Sequence, residues 1–222
     1  MFESKYSKVL TIILVIVIIA IVGLLGFLGY DYYQNYVVTK DASEFVDTFQ
    51  GEVSDGESEE NTVADNNTND TNPFDQIKDT TGTGGSNTKR TYKGFGMLGT
   101  MEIPATNFKY PILEKVTKKS IETAVAFLYG SGLNQPGNSV IIGHNYRNGL
   151  FFSNNKKLKI GDKIYITDNN GTKLTYTIYN KFETTPEDTS FYQRDTAGKA
   201  EVTLSTCTDD SKARLIICAK AE

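Results

Sequence analysis

Hydrophobic and polar positions divide the chain into three stretches of different grain. From Val9 to Leu28 the chain is apolar for twenty residues, broken only by Thr11 and the small residues Ala20, Gly23 and Gly26. Twenty residues at about 1.5 Å each make a helix of about 30 Å, one bilayer hydrocarbon thickness. Tyr32, Tyr33, Tyr36 and Val37, then Phe45, Val46 and Phe49, carry the spacing of a short amphipathic helix leaving that run. From Gly51 to Asn87 apolar residues nearly vanish among Glu, Asp, Asn, Thr, Ser and Gly, a composition that cannot bury enough surface to fold. Beyond Arg90, short apolar runs alternate with turn chemistry to the end.

That last stretch predicts a mainly β domain. Phe95 to Pro104 reads as a strand stopped by proline, and Phe108 to Leu113 as a second short strand. Ile121, Ala124, Val125 and Leu128 fall at i, i+3, i+4 and i+7, predicting a helix over 120–128 with Ser120 as N-cap. Gly130 to Asn138 is turn chemistry, and Ser139 to His144 a central strand delivering the histidine at its end. Leu150, Phe151, Phe152 and Leu158 predict a short helical turn packed beneath it. Lys163–Thr167 and Lys173–Ile178 flank Asp168-Asn169-Asn170-Gly171, a strong hairpin signal. A long polar connection over 182–198 precedes Val202, Leu204 and Thr206, which alternate with Thr203, Ser205 and Cys207. About eight short strands and two brief helices predict a small closed barrel.

Charge sharpens the division. Residues 31–90 hold four bases against thirteen acids, a net of −9, whereas 91–222 carry a net of +4. A mild excess without a basic run gives no reason to expect nucleic-acid binding. Lys5 and Lys8 precede the apolar run and Asp31 follows it, which by the positive-inside rule places the N-terminus in the cytoplasm. No Ala-x-Ala cleavage pattern follows, so the run reads as a retained signal anchor and not a cleaved leader. The expected organisation is a cytoplasmic N-terminus at 1–8, a transmembrane anchor at 9–30, an acidic flexible spacer at 31–90 and a folded extracellular domain at 91–222. A sixty-residue flexible chain has a root-mean-square reach of about 40–45 Å.

Candidate chemistry gathers where two strands meet. Cys207 ends one strand, Asp209 to Ala213 turn the chain, and Arg214 opens the next, so an antiparallel pairing sets thiol and guanidinium side by side. A guanidinium beside a thiol favours the nucleophilic thiolate. Expulsion of a leaving group needs a proton donor, and the chain holds a single histidine, His144. Taken singly, a strand cysteine is an ordinary small buried residue and a histidine ordinarily structural. The second cysteine, Cys218, lies four residues beyond Arg214, about 13 Å along the strand and past the roughly 7 Å Cα limit for a bridge to Cys207. Two free thiols are therefore expected, with Cys218 a packed interior residue.

The wording around these residues resembles the sortase family of surface transpeptidases of Gram-positive bacteria. Thr203-Leu204-Ser205-Thr206-Cys207 matches the family's T-L-x-T-C signature, Arg214 its arginine on the next strand, and Gly143-His144-Asn145 its histidine context. The resemblance covers roughly residues 91–222 and implies an eight-stranded barrel with His144, Cys207 and Arg214 as the catalytic residues. It implies attack by Cys207 on an LPXTG-like sorting signal, a thioester on that cysteine, and resolution by a peptidoglycan or pilin amine. Thr206, Asn145 and Thr208 are expected to contact the peptide, and the connection over 183–198 to wall the groove. No cofactor is implied. Glu183, Glu187 and Asp188 have the chemistry to meet Ca²⁺ but read as solvated loop carboxylates, and no metal ligand set is expected.

Features of subclass point to a class A-like or class D-like anchoring enzyme, without the long wall helix of class B. A pilin-polymerising member is the alternative; Asn72-Pro73-Phe74 lacks the aspartate of that group's Asp-Pro-aromatic lid and reads as a turn in the spacer. A viral-type cysteine protease would need two barrels and a Gly-x-Cys-Gly context. Papain-like hydrolases run cysteine before histidine, the reverse of this chain. A non-catalytic surface-binding domain is disfavoured by the intact trio.

Overall fold

The computed structural model describes residues 3–55 and 90–222. Asn72-Pro73-Phe74 and the rest of the spacer from 56 to 89 lie outside the described residues. Contacts divide the chain into two units, 1–40 and 41–222.

The second unit is built on a closed barrel. Its strands are β1 (Thr91–Tyr92), β2 (Phe95–Ile103), β3 (Phe108–Leu113), β4 (Val125–Tyr129), β5 (Gly137–Ile142), β6 (Lys163–Asp168), β7 (Lys173–Thr184), β8 (Ala200–Cys207) and β9 (Arg214–Ala221). The order β2-β3-β4-β5-β8-β9-β7-β6 closes through antiparallel pairing of β2 with β6, giving eight barrel strands, with β1 a short annex on β2. The closing seam demands a glycine. A Cβ at Gly99 would stand 2.2 Å from the Thr167 carbonyl oxygen, so no side chain fits there.

The period of two decides what faces in. Val202, Leu204, Leu215 and Ile217 join the main core with residues such as Met101 and Tyr110. Each such aliphatic side chain contributes about 1.5–3 kcal/mol when fully buried. Ile216 and Cys218 point the other way and pack with Val140 and Phe191 in a second, smaller cluster. Cys218 is thus buried as expected, but on the outer face of the barrel, beneath the connection between β7 and β8, and not inside the barrel. That connection brings Phe191 down as a cover.

Two expectations change. The helix expected over 120–128 is α2, confined to Lys118–Thr123, with Thr117 as N-cap and Ser120 as its capping-box partner. The chain from Val125 onward is β4, paired parallel to β3 and antiparallel to β5. The helical spacing of Ile121, Ala124, Val125 and Leu128 is overridden by two sheet neighbours and by the β preference of Val125 and Phe127. The expected hairpin forms from β6 and β7, with Lys163 opposite Thr177, although β7 runs on to Thr184.

The other change concerns the spacer. The helix α1 spans Glu3–Asp55, and its residues from Asp41 onward belong to the barrel's own compact unit. Ala42, Val46 and Phe49 are buried, one helical face at i, i+4 and i+7. Phe45 packs on Tyr92 at 4.7 Å between ring centroids. Polar rungs flank this face. Asp41 pairs with Lys93 (2.6 Å), Glu52 with Arg90 (2.6 Å), and Asp47 with Lys109, while Gln50 donates to Glu102 (2.5 Å). Acids that give 31–90 the composition of a tether are, over 41–52, docking contacts. The folded part expected to begin at 91 therefore also includes residues 41–53.

In the first unit, the apolar side chains from Val9 to Leu28 are exposed along the whole run. Among the described residues, this helix alone is long and apolar enough to cross a membrane.

Candidate functional site

The central strands β5 and β8 run parallel, with Ile142 opposite Ser205. Beyond that level the strands remain stitched. The Gly143 N–H donates to the Ser205 carbonyl (3.3 Å), the Thr206 hydroxyl to the Gly143 carbonyl (2.7 Å), and the Asn145 amide to the Cys207 carbonyl (3.0 Å). His144 therefore sits beside the end of the cysteine strand. Alternation sets its face: Val140 and Ile142 belong to the outer cluster and Ile141 to the core, so His144 falls on the outer side with Cys207. Gly143 between them must lack a side chain, since a Cβ there would meet Val125 and Phe152 at 2.8–2.9 Å.

A pinched loop fixes the histidine. Asn145 bridges to Phe151, and the Phe152 N–H donates to the His144 carbonyl (3.0 Å). The Asn145 carboxamide oxygen accepts from the Arg147 N–H (3.0 Å), where the chain turns through φ 61°. Phe151 and Phe152 are buried and hold the loop down as the sequence predicts. The imidazole stacks on Tyr146, ring centroids 4.8 Å apart and 27° between planes, and Tyr146 leans in turn on Phe151. Burial lowers the His144 pKa below its ordinary value, and the Glu122 carboxylate on α2 opposes the shift.

Cys207 and Arg214 are directly opposite in the β8–β9 register. The Arg214 Nη1 donates to the Cys207 sulfur at 3.2 Å. The turn between them is tightly made: the Thr208 N–H donates to the Ala213 carbonyl (3.0 Å), and the Ala213 N–H returns to the Thr208 hydroxyl (3.1 Å). Asp209 accepts from Asn145 (2.9 Å) and Lys156 (2.6 Å), which hold its carboxyl below the usual carboxylate range. A cleft of 330 Å³ opens beside Cys207, lined among others by Asn145, Lys156, Glu183, Thr208 and Asp210.

His144, Cys207 and Arg214 are thus gathered at one end of one face. Asn145 and Thr208 border the cleft. Thr206 departs from the expected peptide contact: it is 3% exposed, faces the core, and spends its hydroxyl on the Gly143 carbonyl. It braces the histidine segment instead. Cys218 lies opposite Thr203, four positions from the Cys207 level, and both cysteines are free. Asp188, one of the loop acids considered for Ca²⁺, is engaged by the Thr184 hydroxyl (2.5 Å) and the Ser190 N–H (2.8 Å). Among the described residues no group of three or more His, Cys, Asp or Glu side chains is placed to hold a metal. Sequence reasoning missed Tyr146 and Glu122. An aromatic two residues beyond a strand-end histidine was the available signal for the first; α2 meets the loop only in the fold.

Barrel, strand-end histidine and cysteine–arginine pair together define a class of cysteine acyl-transfer domains, and the comparisons with known proteins agree. The family model for the sortase domain matches residues 101–222. The chain belongs to the sortase family. It is 32% identical over 120 residues to sortase A of Bacillus anthracis, a match spanning 52% of this chain and 56% of that relative. Among solved structures, sortase A from Corynebacterium diphtheriae superposes with a TM-score of 0.53 at 30% identity, covering 58% of this chain and 61% of that one. Sortase C1 of Streptococcus agalactiae gives 0.52 at 25% identity, covering 57% and 69%. A Clostridium perfringens sortase D5 transpeptidase gives 0.52 at 29%, covering 57% and 79%. The neighbours carry A, C and D designations alike.

Proposed function

We propose that this chain is a membrane-anchored cysteine transpeptidase that cleaves an LPXTG-like sorting signal and passes the acyl group to a cell-wall amine. The observation that carries the reading is the Arg214 Nη1 to Cys207 Sγ contact at 3.2 Å, where the segment bearing His144 is stitched to the end of β8. In the first half-reaction the Cys207 thiolate attacks the threonyl carbonyl carbon of the signal. The carbonyl π electrons move to oxygen, and on collapse the C–N bond to glycine breaks. The His144 imidazolium gives its proton to the departing amine, leaving a thioester and a neutral imidazole. In the second, an amine attacks the thioester, His144 recovers a proton, and the Cys207 thiolate leaves.

Arg214 serves twice. Its guanidinium holds the sulfur before attack and is the donor at hand for the oxyanion afterwards. The N–H following the nucleophile is already committed, since Thr208 donates to Ala213. His144 begins mostly neutral because burial lowers its pKa. The Lys5 and Lys8 flank supports an orientation with the N-terminus in the cytoplasm and the barrel outside.

Incubating the detergent-solubilised full chain with a library of sorting-signal peptides and a panel of amines, read by product mass, tests the proposal. Peptide cut between Thr and Gly, with the amine joined to Thr, is the expected product. A panel free of such products over all peptides would defeat the reading. Peptidoglycan stem amines against pilin lysine peptides in the same panel separate wall anchoring from pilin polymerisation.

A further inference from the structure

The connection from Thr185 to Lys199 crosses the outer face of the barrel between β7 and β8, and one side chain ties it down. Arg194 donates through Nε to Glu201 (2.6 Å), and through Nη1 to the Thr203 hydroxyl (2.8 Å) and the Phe191 carbonyl (3.3 Å). One guanidinium thus joins the connection's own backbone to two residues of β8. The partners reach further. Tyr179 of β7 donates to the same Glu201 oxygen (2.8 Å), and the Thr203 hydroxyl donates to Asn138 of β5 (2.8 Å). The Asn138 amide closes the circuit on the carbonyls of Phe191 (3.1 Å) and Tyr192 (2.9 Å).

We infer that Arg194 is a positioning residue for the peptide groove: it latches the connection to β8 and so holds Tyr192 on the outer cluster that leads along β9 to Arg214. The inference rests on the transpeptidase reading above. Three observations carry it. The ion pair is largely dehydrated, with Arg194 and Glu201 side chains 21% and 11% exposed, and the guanidinium divides its donors between Glu201 and Thr203, so its loss leaves buried polar groups unmatched. The latched segment reaches the reactive end. Tyr192 packs on the outer cluster whose Ile216 lies two positions from Arg214 on the same face of β9, and against Tyr129 (5.5 Å) and Phe191 (4.9 Å); the Arg214 charge opposes the rise that burial causes in its phenol. Arg194 itself has no part in the reacting group: Thr203, its partner, is four residues from Cys207, about 13 Å along the strand. Loss of the latch therefore acts on peptide binding and leaves the nucleophile intact.

The fold supplies its own reporter. Cys218 is buried under Phe191 with its sulfur 3.9 Å from the Thr203 hydroxyl oxygen, and burial pushes its thiol pKa up. It reacts with alkylating reagents only when the connection lifts.

The full chain in detergent, as wild type, Arg194→Ala and Arg194→Lys, is assayed for KM and kcat on a sorting-signal peptide and for iodoacetamide labelling of each cysteine. Arg194→Ala should raise KM about tenfold with kcat within about twofold, leave Cys207 labelling unchanged, and speed Cys218 labelling at least about tenfold. Arg194→Lys keeps the charge opposite Glu201 but loses the fork, so its KM and Cys218 rate should fall between; it also decides the matter if the alanine variant does not fold. Unchanged KM with Cys218 still protected overturns the inference, as does a fall in Cys207 labelling that matches the loss of activity. If the wild type processes no peptide, the transpeptidase reading falls, and the Cys218 rates alone decide whether Arg194 is the latch.

Discussion

His144 works from a cramped seat. Stacked on Tyr146 and partly buried, its imidazole prefers the neutral form, and the nearest opposing influence is the Glu122 carboxylate. The sign is direct. Burial penalises the cation, so the midpoint lies below the ordinary value of about 6.5, and removing a negative charge penalises the cation further. In NMR titration His144 should show a midpoint below 6.5, and Glu122→Gln should move it lower still; an upward move would refute the assignment. Thr206 tests another residue-scale point. Its hydroxyl satisfies the Gly143 carbonyl, so Thr206→Val should cost about 1–3 kcal/mol of stability and lower kcat, while Thr206→Ser restores both. A rise in KM alone, without loss of stability, would return Thr206 to the substrate.

Among the elements, the docked end of α1 changes the picture of the molecule most. Phe49 is 2% exposed, under the Arg90 guanidinium at 5.0 Å from its ring. Phe49→Ala should cost about 3–5 kcal/mol in chemical denaturation of the full chain, the range for emptying a buried aromatic site. A loss under about 1 kcal/mol would mean the helix end contributes little to the barrel's fold.

How legible this was from sequence varies by element for physical reasons. The β8–β9 register could be read because a period of two and a short turn leave one pairing that sets Cys207 against Arg214. The barrel could be read from its strand count. The partners of Asp41, Asp47 and Glu52 could not, because Lys93, Lys109 and Arg90 lie 38 to 62 positions downstream, and isolated acids carry the same signature as a tether. Val125 to Leu128 likewise fits a helix face until two neighbouring strands claim its backbone. The outer cluster around Cys218 depends on Phe191 folding back across the barrel, which no local pattern encodes.

For the whole molecule the apolar run at 9–28 and the barrel unit at 41–222 belong to one chain, and Lys5 and Lys8 set the expected orientation. In wall-stripped cells expressing the protein, external protease should cut the chain into a barrel fragment, recognised by antibodies against the barrel, and an N-terminal membrane piece that separate on a denaturing gel, the docked helix end holding them together until then. Cutting should fall between 56 and 89, where acidic, apolar-poor sequence lies between the docked helix and β1. Full protection of the barrel until the cells are permeabilised would place it in the cytoplasm.

Acyl transfer through Cys207 is the centre of the account, and trapping the acyl-enzyme examines it most directly. Intact-mass spectrometry of the chain after brief exposure to a cleavable sorting-signal peptide, without added amine, should reveal an adduct of the peptide's threonyl-side fragment. Peptide mapping should place that adduct on Cys207, hydroxylamine should remove it, and Cys207→Ala should form none while keeping its fold. Turnover by Cys207→Ala, or an adduct carried on Cys218 or any other residue, would contradict the mechanism.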